Sequence, residues 1–501
     1  MRELFRQHAV PWLNEEMAEH RATPFLGVFV ALLFFWGLAI VPVWIEAAQY
    51  CHSHYDLGIY TQAVSLLDWD NLNPWLTGRQ VFIVNDHFDP ILIVAAPLKL
   101  LLSPYKAVLV AEALIVSSVV LPVLWLWKLQ LLQAHGAVLL ASTLLLNSSL
   151  ITAVRFPVHP TTWAVTPMAW MLAAVIAKRP WHVFWAFNVL CACKEEFPFL
   201  GIMLGLALWV MGKENRKLGT TIFFVAVSWG LFDFVFRPML FGAITSYSTE
   251  SSTKGQVSLD LTFLLDSPTE YLLTRFTKEG MYSRLLSMLS LTVPLLVWSY
   301  RRSGFSKLIF PLFLILLPML GIRFLGMSWR HQYGAPLMAA ILFLLCPLLI
   351  RTKIPRWVFL TTCLILVGTN ERHLRFGASV LRPGDHGSPR ICPNEAGRLE
   401  SIERAFDILK ADSDRKILVE GSFLAYLMPW EKIYSMGGPQ SPDGHVYDYV
   451  LSEKGFRGTP FPASYERMNE LIGLWRNQEG AEIIIDNDYL FFARGNFTRA
   501  H

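Results

Sequence analysis

The sequence predicts a mainly α-helical, polytopic membrane protein of about eleven transmembrane helices, closed by a small C-terminal α/β domain outside the cytoplasm. Three observations predict it. Of 501 residues, 53% are hydrophobic and only 16% are charged, a balance found in membrane chains rather than soluble ones. Apolar windows near the ~20 residues that cross a bilayer recur from residue 24 to residue 370. From Asn370 onward, charged residues and turn formers return.

The windows are 24–45, 106–128, 136–154, 160–177, 181–193, 197–212, 218–236, 282–300, 306–322, 334–350 and 355–370. Segment 91–102, ILIVAAPLKLLL, is too short to span and is expected as an outside interfacial or re-entrant piece. The first window follows a polar 1–23 stretch and lacks a small-residue cleavage site, so a retained helix is expected, not a signal peptide. With the N-terminus (Arg2, Arg6, Arg21) cytoplasmic, the basic loops at Lys128, Lys178-Arg179, Lys213 with Arg216-Lys217, Arg301-Arg302 with Lys307, and Arg351, Lys353 and Arg356 all fall on one side. This predicts a multi-pass protein of the cell inner (plasma) membrane. Residues 24–370 form its membrane domain, and loop 47–105 and domain 371–501 lie in the periplasm or its equivalent. The inside loops account for the net charge of +4, so no nucleic-acid partner is inferred.

The first external loop carries Asp56, Asp68, Asp70, Asp86 and Asp89 together with His52, His54 and His87. Such groups are costly to desolvate beside a bilayer, which points to chemistry or ligand binding at the water–lipid boundary. After Tyr55-Asp56-Leu57-Gly58, the residues Ile59, Ala63, Leu66 and Leu67 recur at helical spacing and predict a short amphipathic helix flat on the membrane, with Asp56 at its start. Asp56 then either faces the boundary or caps that helix. In Asn85-Asp86-His87-Phe88-Asp89-Pro90, two carboxylates flank an imidazole. Asp86, His87 and Asp89 could bind a divalent cation, and a plain turn before Pro90 is the alternative for Asp86.

Further along, the turn Arg155-Phe156-Pro157-Val158-His159-Pro160 presents a cation and an imidazole outside, and Lys194-Glu195-Glu196 sits between two apolar runs with no polar loop around it. Arg323, Arg330 and His331 recur in GIRFLGMSWRHQYG. Arg155, Lys194, Arg323 and Arg330 on the outer side run against the positive-inside bias and fit a phosphate held there, with snorkelling to head groups as the alternative for the arginines. Loop 241–281, with a helix expected at 268–279, is either a mobile lid or disordered. Four of the six cysteines (Cys191, Cys193, Cys346, Cys363) fall in windows, which leaves Cys51 and Cys392 outside, where a disulfide is possible. In the tail, a helix is expected near 396–411, strands at 416–420, 447–451 and 482–486, and a helix at 463–478.

YDLGIYTQ, NDHFDPIL, RFPVHPTTWAV, ACKEEFPFL and RHQYGAPL, in that order, with ILVEGSFLAYLMPWEKIY and YDYVL in the tail, resemble the domain-of-unknown-function 2079 family of predicted membrane proteins. That family in turn resembles the GT-C glycosyltransferases, multi-spanning enzymes that use polyprenyl-phosphate sugars. The resemblance implies that Asp56 matches the catalytic Asp of the first external loop, and that Lys194 is similar to the lysine that contacts the lipid phosphate. Tyr55 stands where the family has Phe. Tyr55, Gln62, Arg155, His159, Glu195, Glu196, Arg323, Arg330, His331 and Tyr333 join Lys194 as substrate-binding candidates, with Asp86 and His87 beside Asp56 as catalytic candidates.

The expected function is transfer of a sugar from a polyprenyl-phosphate-linked donor to an extracytoplasmic acceptor (glycan, lipid or protein), with Asp56 as general base. Nucleotide sugars are confined to the cytoplasm, so an outward-facing transferase takes its sugar from a lipid phosphate, and cations offset the charge on the departing phosphate. The rival is a transporter or flippase for a lipid-linked or anionic solute, and a third alternative is a membrane assembly factor. A transporter has no need of the acidic loop and soluble tail, and no internal repeat is detectable.

Overall fold

The structure, a computed structural model, describes residues 23–51, 55–86, 88–210, 212–241, 267, 334–349, 356–370, 374, 396–427, 432–436, 446–454 and 465–498. The windows 282–300 and 306–322, the expected helix 268–279, and His87, Arg323, Arg330, His331, Tyr333 and Cys392 lie outside the described residues.

The chain is mainly helical, with a small sheet region at its C-terminal end. Each of the nine windows that can be compared falls on a helix: α1 (Pro24–Ala48), α3 (Pro104–Lys128), the bent pair α4 (Ala134–Leu145) and α5 (Ser148–Val154), α6 (Pro160–Ile176), α7 (Pro180–Cys191), α8 (Phe197–Val210), α9 (Lys213–Phe241), α10 (Gly334–Leu349) and α11 (Arg356–Thr369). Between α1 and α3, the first loop contributes α2 (Tyr55–Leu66), the hairpin of β1 (Trp75–Leu76) and β2 (Val81–Phe82), and two short 3-10 turns over Pro90–Leu100. Prolines open α3, α6 and α7, where a missing N–H costs nothing.

Among the described residues, α1, α3 and α9 are long and apolar enough to cross a membrane, and α4 with α5 adds a fourth if their 47° bend lies within one span. The remaining apolar helices are shorter. Helices α8 and α9 pack backbone to backbone. A Cβ added at Gly205 would sit 2.8 Å from the Gly219 carbonyl oxygen, and one at Gly219 would sit 2.6 Å from that of Gly205. Small residues permit this close approach of two apolar helices.

In the tail, α12 (Ala396–Ala411) precedes β3 (Ile417–Val419), β4 (Ile433–Ser435) and β5 (Val446–Glu453), and α13 (Tyr465–Arg476) precedes β6 (Glu482–Asp486) and β7 (Leu490–Thr498). They form one sheet in the order β4-β3-β5-β7-β6, with β4, β3 and β5 parallel and β5, β7 and β6 antiparallel. Strands β4 and β7 were not anticipated. Trp475, Met468 and Leu471 cover one face with Phe491, Ala493 and Phe497. The other face shares a core with the first loop, where Phe406, Phe423 and Leu424 pack among residues that include Tyr55, Leu57 and Leu76.

This shared core explains a departure from expectation in α2. The predicted one-sided surface helix is instead buried on nearly every face from Leu57 to Val64, because Leu424 lies across it so closely that a Cβ at Gly58 would come within 2.7 Å of the leucine side chain.

Where the two parts meet, Arg398 forms a buried ion pair with Glu453, and the Glu453 N–H donates to Glu420 Oε2 at 2.9 Å. One guanidinium thus faces two buried carboxylates. Burial first, and then the neighbouring Glu453, pushes the Glu420 carboxyl up to about 8 from an ordinary 4.5. A carboxyl raised in the folded state contributes stability that is full below its unfolded pKa and is lost as pH rises through its folded one. The midpoint of thermal unfolding in detergent should therefore fall as pH rises from about 4.5 to about 8, and Glu420→Gln should flatten that slope.

Candidate functional site

The site begins where α1 stops. Tyr50 takes a left-handed φ of 54°, its N–H donates to the Ala47 carbonyl at 3.2 Å, and the Cys51 N–H donates to the Glu46 carbonyl at 2.9 Å, closing the helix with the doubled turn that glycine usually supplies. The side chain is held there by edge contacts with Phe406 and Tyr426 of the C-terminal domain. The carbonyls of Gln49 and Tyr50, which point beyond the helix, accept from Arg398 Nη1 and Nη2 at 2.9 and 3.1 Å. Cys51 is disulfide-bonded, and the other described cysteines are free. Downstream, the Tyr55 hydroxyl donates to the Gly78 carbonyl at 2.6 Å, and Gln62 bonds Thr77 and the Gly78 N–H. Burial pushes the Tyr55 phenol up, so it stays a neutral donor.

Asp56 lies between these anchors, in the first turn of α2. Its Oδ2 is 3.0 Å from Nε2 of His159, which comes from the turn before α6. His159 Nδ1 is 3.0 Å from the Phe156 carbonyl, and the Phe156 ring stacks on the imidazole. Both ring nitrogens therefore face oxygen acceptors, an arrangement satisfied when a proton sits between His159 and Asp56. Behind the ring, Glu112 of α3 accepts from the His159 backbone N–H at 3.5 Å. The imidazole side chain is 5% exposed and the Asp56 side chain 32% exposed, so the pair is anchored inside and open on its carboxylate side.

Tyr60, one turn along α2, continues inward. Its ring meets His159 edge-on at 6.0 Å, and its hydroxyl donates to Asp89 Oδ2 at 3.3 Å. Asp89 Oδ1 is 4.0 Å from Lys194 Nζ, which lies 3.5 Å from Glu195. A backbone bond from the Ile91 N–H to the Ala192 carbonyl (3.1 Å) ties the end of the loop to this step. Asp56, His159, Tyr60, Asp89, Lys194 and Glu195 thus form one connected series, drawn from stretches more than a hundred residues apart.

Other expected residues are placed elsewhere. Asp86 forms a buried ion pair with Arg79, whose Nε lies 3.1 Å from Oδ2, so its carboxylate holds the hairpin. Arg155 meets Glu46 at 3.3 Å. Among the described residues, no group of three His, Cys, Asp or Glu side chains is arranged to hold a metal ion. Asp86 and Asp89 each face a cation, Arg79 and Lys194, and the third expected member, His87, lies outside the described residues.

Sequence reasoning missed Tyr60, Arg79, Glu112, Asp233 and Arg237. The last three were within reach, since ionisable residues in or at the edge of the apolar windows are rare and costly. Nothing in the local sequence sets Tyr60 apart from the other tyrosines of the chain. No family model matches the chain, and no curated protein matches it.

The Arg79–Asp86 pair gives a discriminating prediction. Asp86→Asn removes a charged partner from a buried guanidinium, which costs about 1.5–3 kcal/mol. Denaturant unfolding should show a loss of that size. A variant of unchanged stability that loses transfer would favour the catalytic role for Asp86.

Proposed function

We propose that the chain is a multi-pass membrane glycosyltransferase that moves a sugar from a polyprenyl-phosphate donor to an extracytoplasmic hydroxyl. The observation that carries this reading is the pairing of a part-exposed carboxylate, Asp56, with His159, one tyrosine away from Asp89 and the buried Lys194. Asp56 takes the proton of the acceptor hydroxyl as its oxygen bonds to the anomeric carbon. The bond from that carbon to the phosphate oxygen breaks, its electron pair leaves with the polyprenyl phosphate, and Lys194 offsets the charge that develops. His159 holds the carboxylate in place and shares its proton.

In this reading eleven spans cross the plasma membrane, the N-terminus is cytoplasmic, and the first loop and C-terminal domain are outside. Two observations support the sidedness beyond the loop charges. The disulfide at Cys51 belongs in an oxidising compartment. Arg398 and the shared core keep the C-terminal domain on the same side as the loop. The motif resemblance to the domain-of-unknown-function 2079 family, whose architecture resembles that of the GT-C enzymes, agrees with this. A transporter is the second reading, favoured by Asp233, a carboxylate fully buried within α9.

Three measurements test the proposal. In Asp56→Asn the protein should fold, insert and bind donor lipid while transfer falls ~10²- to 10⁴-fold. A variant that retains transfer, or accumulates solute across vesicles without transfer, would favour the transporter. Lys194→Ala should weaken use of the lipid donor by roughly ten- to a hundredfold, the worth of a charge-assisted contact. Glu403, exposed on α12, is suited to topology mapping: Glu403→Cys should react with an impermeant maleimide in intact cells. Labelling only after the cytoplasm is opened would overturn the sidedness and the mechanism with it.

A further inference from the structure

Below the loop, α9 widens into a π-helical turn at Phe232–Phe236, the kind of local insertion that recurs at functional sites. On that turn Asp233 is 0% exposed, and among the described residues neither of its carboxylate oxygens has a hydrogen-bond partner. One turn on, Arg237 is 1% exposed. Its Nε donates to the Asp233 carbonyl and its Nη1 to the Val84 carbonyl, both at 3.2 Å, while Nη2 has no partner among the described residues. Asp233 feels the charges of Arg237, Glu195 and Asp89, the last two being the carboxylates around Lys194. An unsatisfied buried donor and an unsatisfied buried acceptor therefore lie beside the inner end of the Asp56–His159–Tyr60–Asp89–Lys194 series.

The chemistry of a ligand follows from that pairing. A phosphate would satisfy Arg237 but meet three carboxylates. A proton on Asp233 would leave Arg237 Nη2 without an acceptor. No three-residue metal set is present among the described residues. A hydroxyl both donates and accepts, so one sugar hydroxyl or a neighbouring pair answers Asp233 and Arg237 together. We propose that Asp233 and Arg237 recognise hydroxyl groups of the donor's sugar. This deepens the glycosyltransferase reading and rests on it. Buried polar groups of this kind discriminate strongly, because a ligand that lacks the matching hydroxyl leaves them unpaired.

The test is a fluorescence titration of the detergent-solubilised full chain with two probes, undecaprenyl phosphate and undecaprenyl-phosphate glucose. Wild type should bind the glucose-bearing lipid at least about tenfold more tightly. Asp233→Asn and Arg237→Gln, checked for an unchanged unfolding midpoint, should lose that preference and keep the affinity for the bare lipid. Equal wild-type affinities for the two probes would overturn the inference without recourse to any variant. So would variants that retain the preference, or that lose both affinities together. Failure of wild type to bind either lipid would overturn the glycosyltransferase reading itself.

Discussion

Arg398 is the point on which the arrangement hangs. Its guanidinium faces Glu453 within the C-terminal domain and takes the Gln49 and Tyr50 carbonyls of the first loop. An arginine can do this because its five donors lie in one plane, so a single side chain satisfies acceptors from two parts of the chain. Without it, α1 would end in two carbonyls directed at an apolar core, and a non-glycine residue would hold a left-handed backbone with less to keep it there. Asp56 follows six residues after Tyr50, in the first turn of α2.

The second constraint is the scarcity of water around the series from Asp56 to Lys194. A charge between apolar helices is tolerated when it is paired, and each buried member of the series has a neighbour of the required kind: His159 has Asp56 and the Phe156 carbonyl, Asp89 has Tyr60 and Lys194, and Lys194 has Glu195 as well. Pairing holds these groups in fixed places in low dielectric, where a developing charge is most strongly stabilised. Asp56 is open to water on one side, while its other side is fixed by a buried ring.

Much of the helical architecture was legible because apolar windows are local. The nine comparable windows all fell on helices, Asp56 and His159 were visible as ionisable residues of outside segments, and Lys194 as a charge between two apolar runs. What stayed hidden was non-local. The leucine that buries α2 is Leu424, more than 350 residues later, and no periodicity within Ile59–Leu67 could report it. Strand β4, Ile433–Ser435, is only three residues long and owes its existence to pairing with β3. Strand β7 carries Arg494, Gly495 and Asn496 in its middle, a turn-like composition, yet it pairs along both β5 and β6. Tyr60 joined the site because its ring lies on an imidazole 99 residues away while its hydroxyl reaches Asp89. The cation cluster expected outside could be compared only at Arg155 and Lys194. Arg155 has Glu46 as its partner, while Lys194 belongs to the connected series.

The most direct test of the account is an experimental structure of the protein with a polyprenyl phosphate bound. The account predicts the phosphate against Lys194, the lipid chain leaving between apolar helices, and Asp56 with its His159 partner facing the phosphate from the water side. A phosphate seated away from Lys194, or separated from Asp56 by the C-terminal domain, would contradict it.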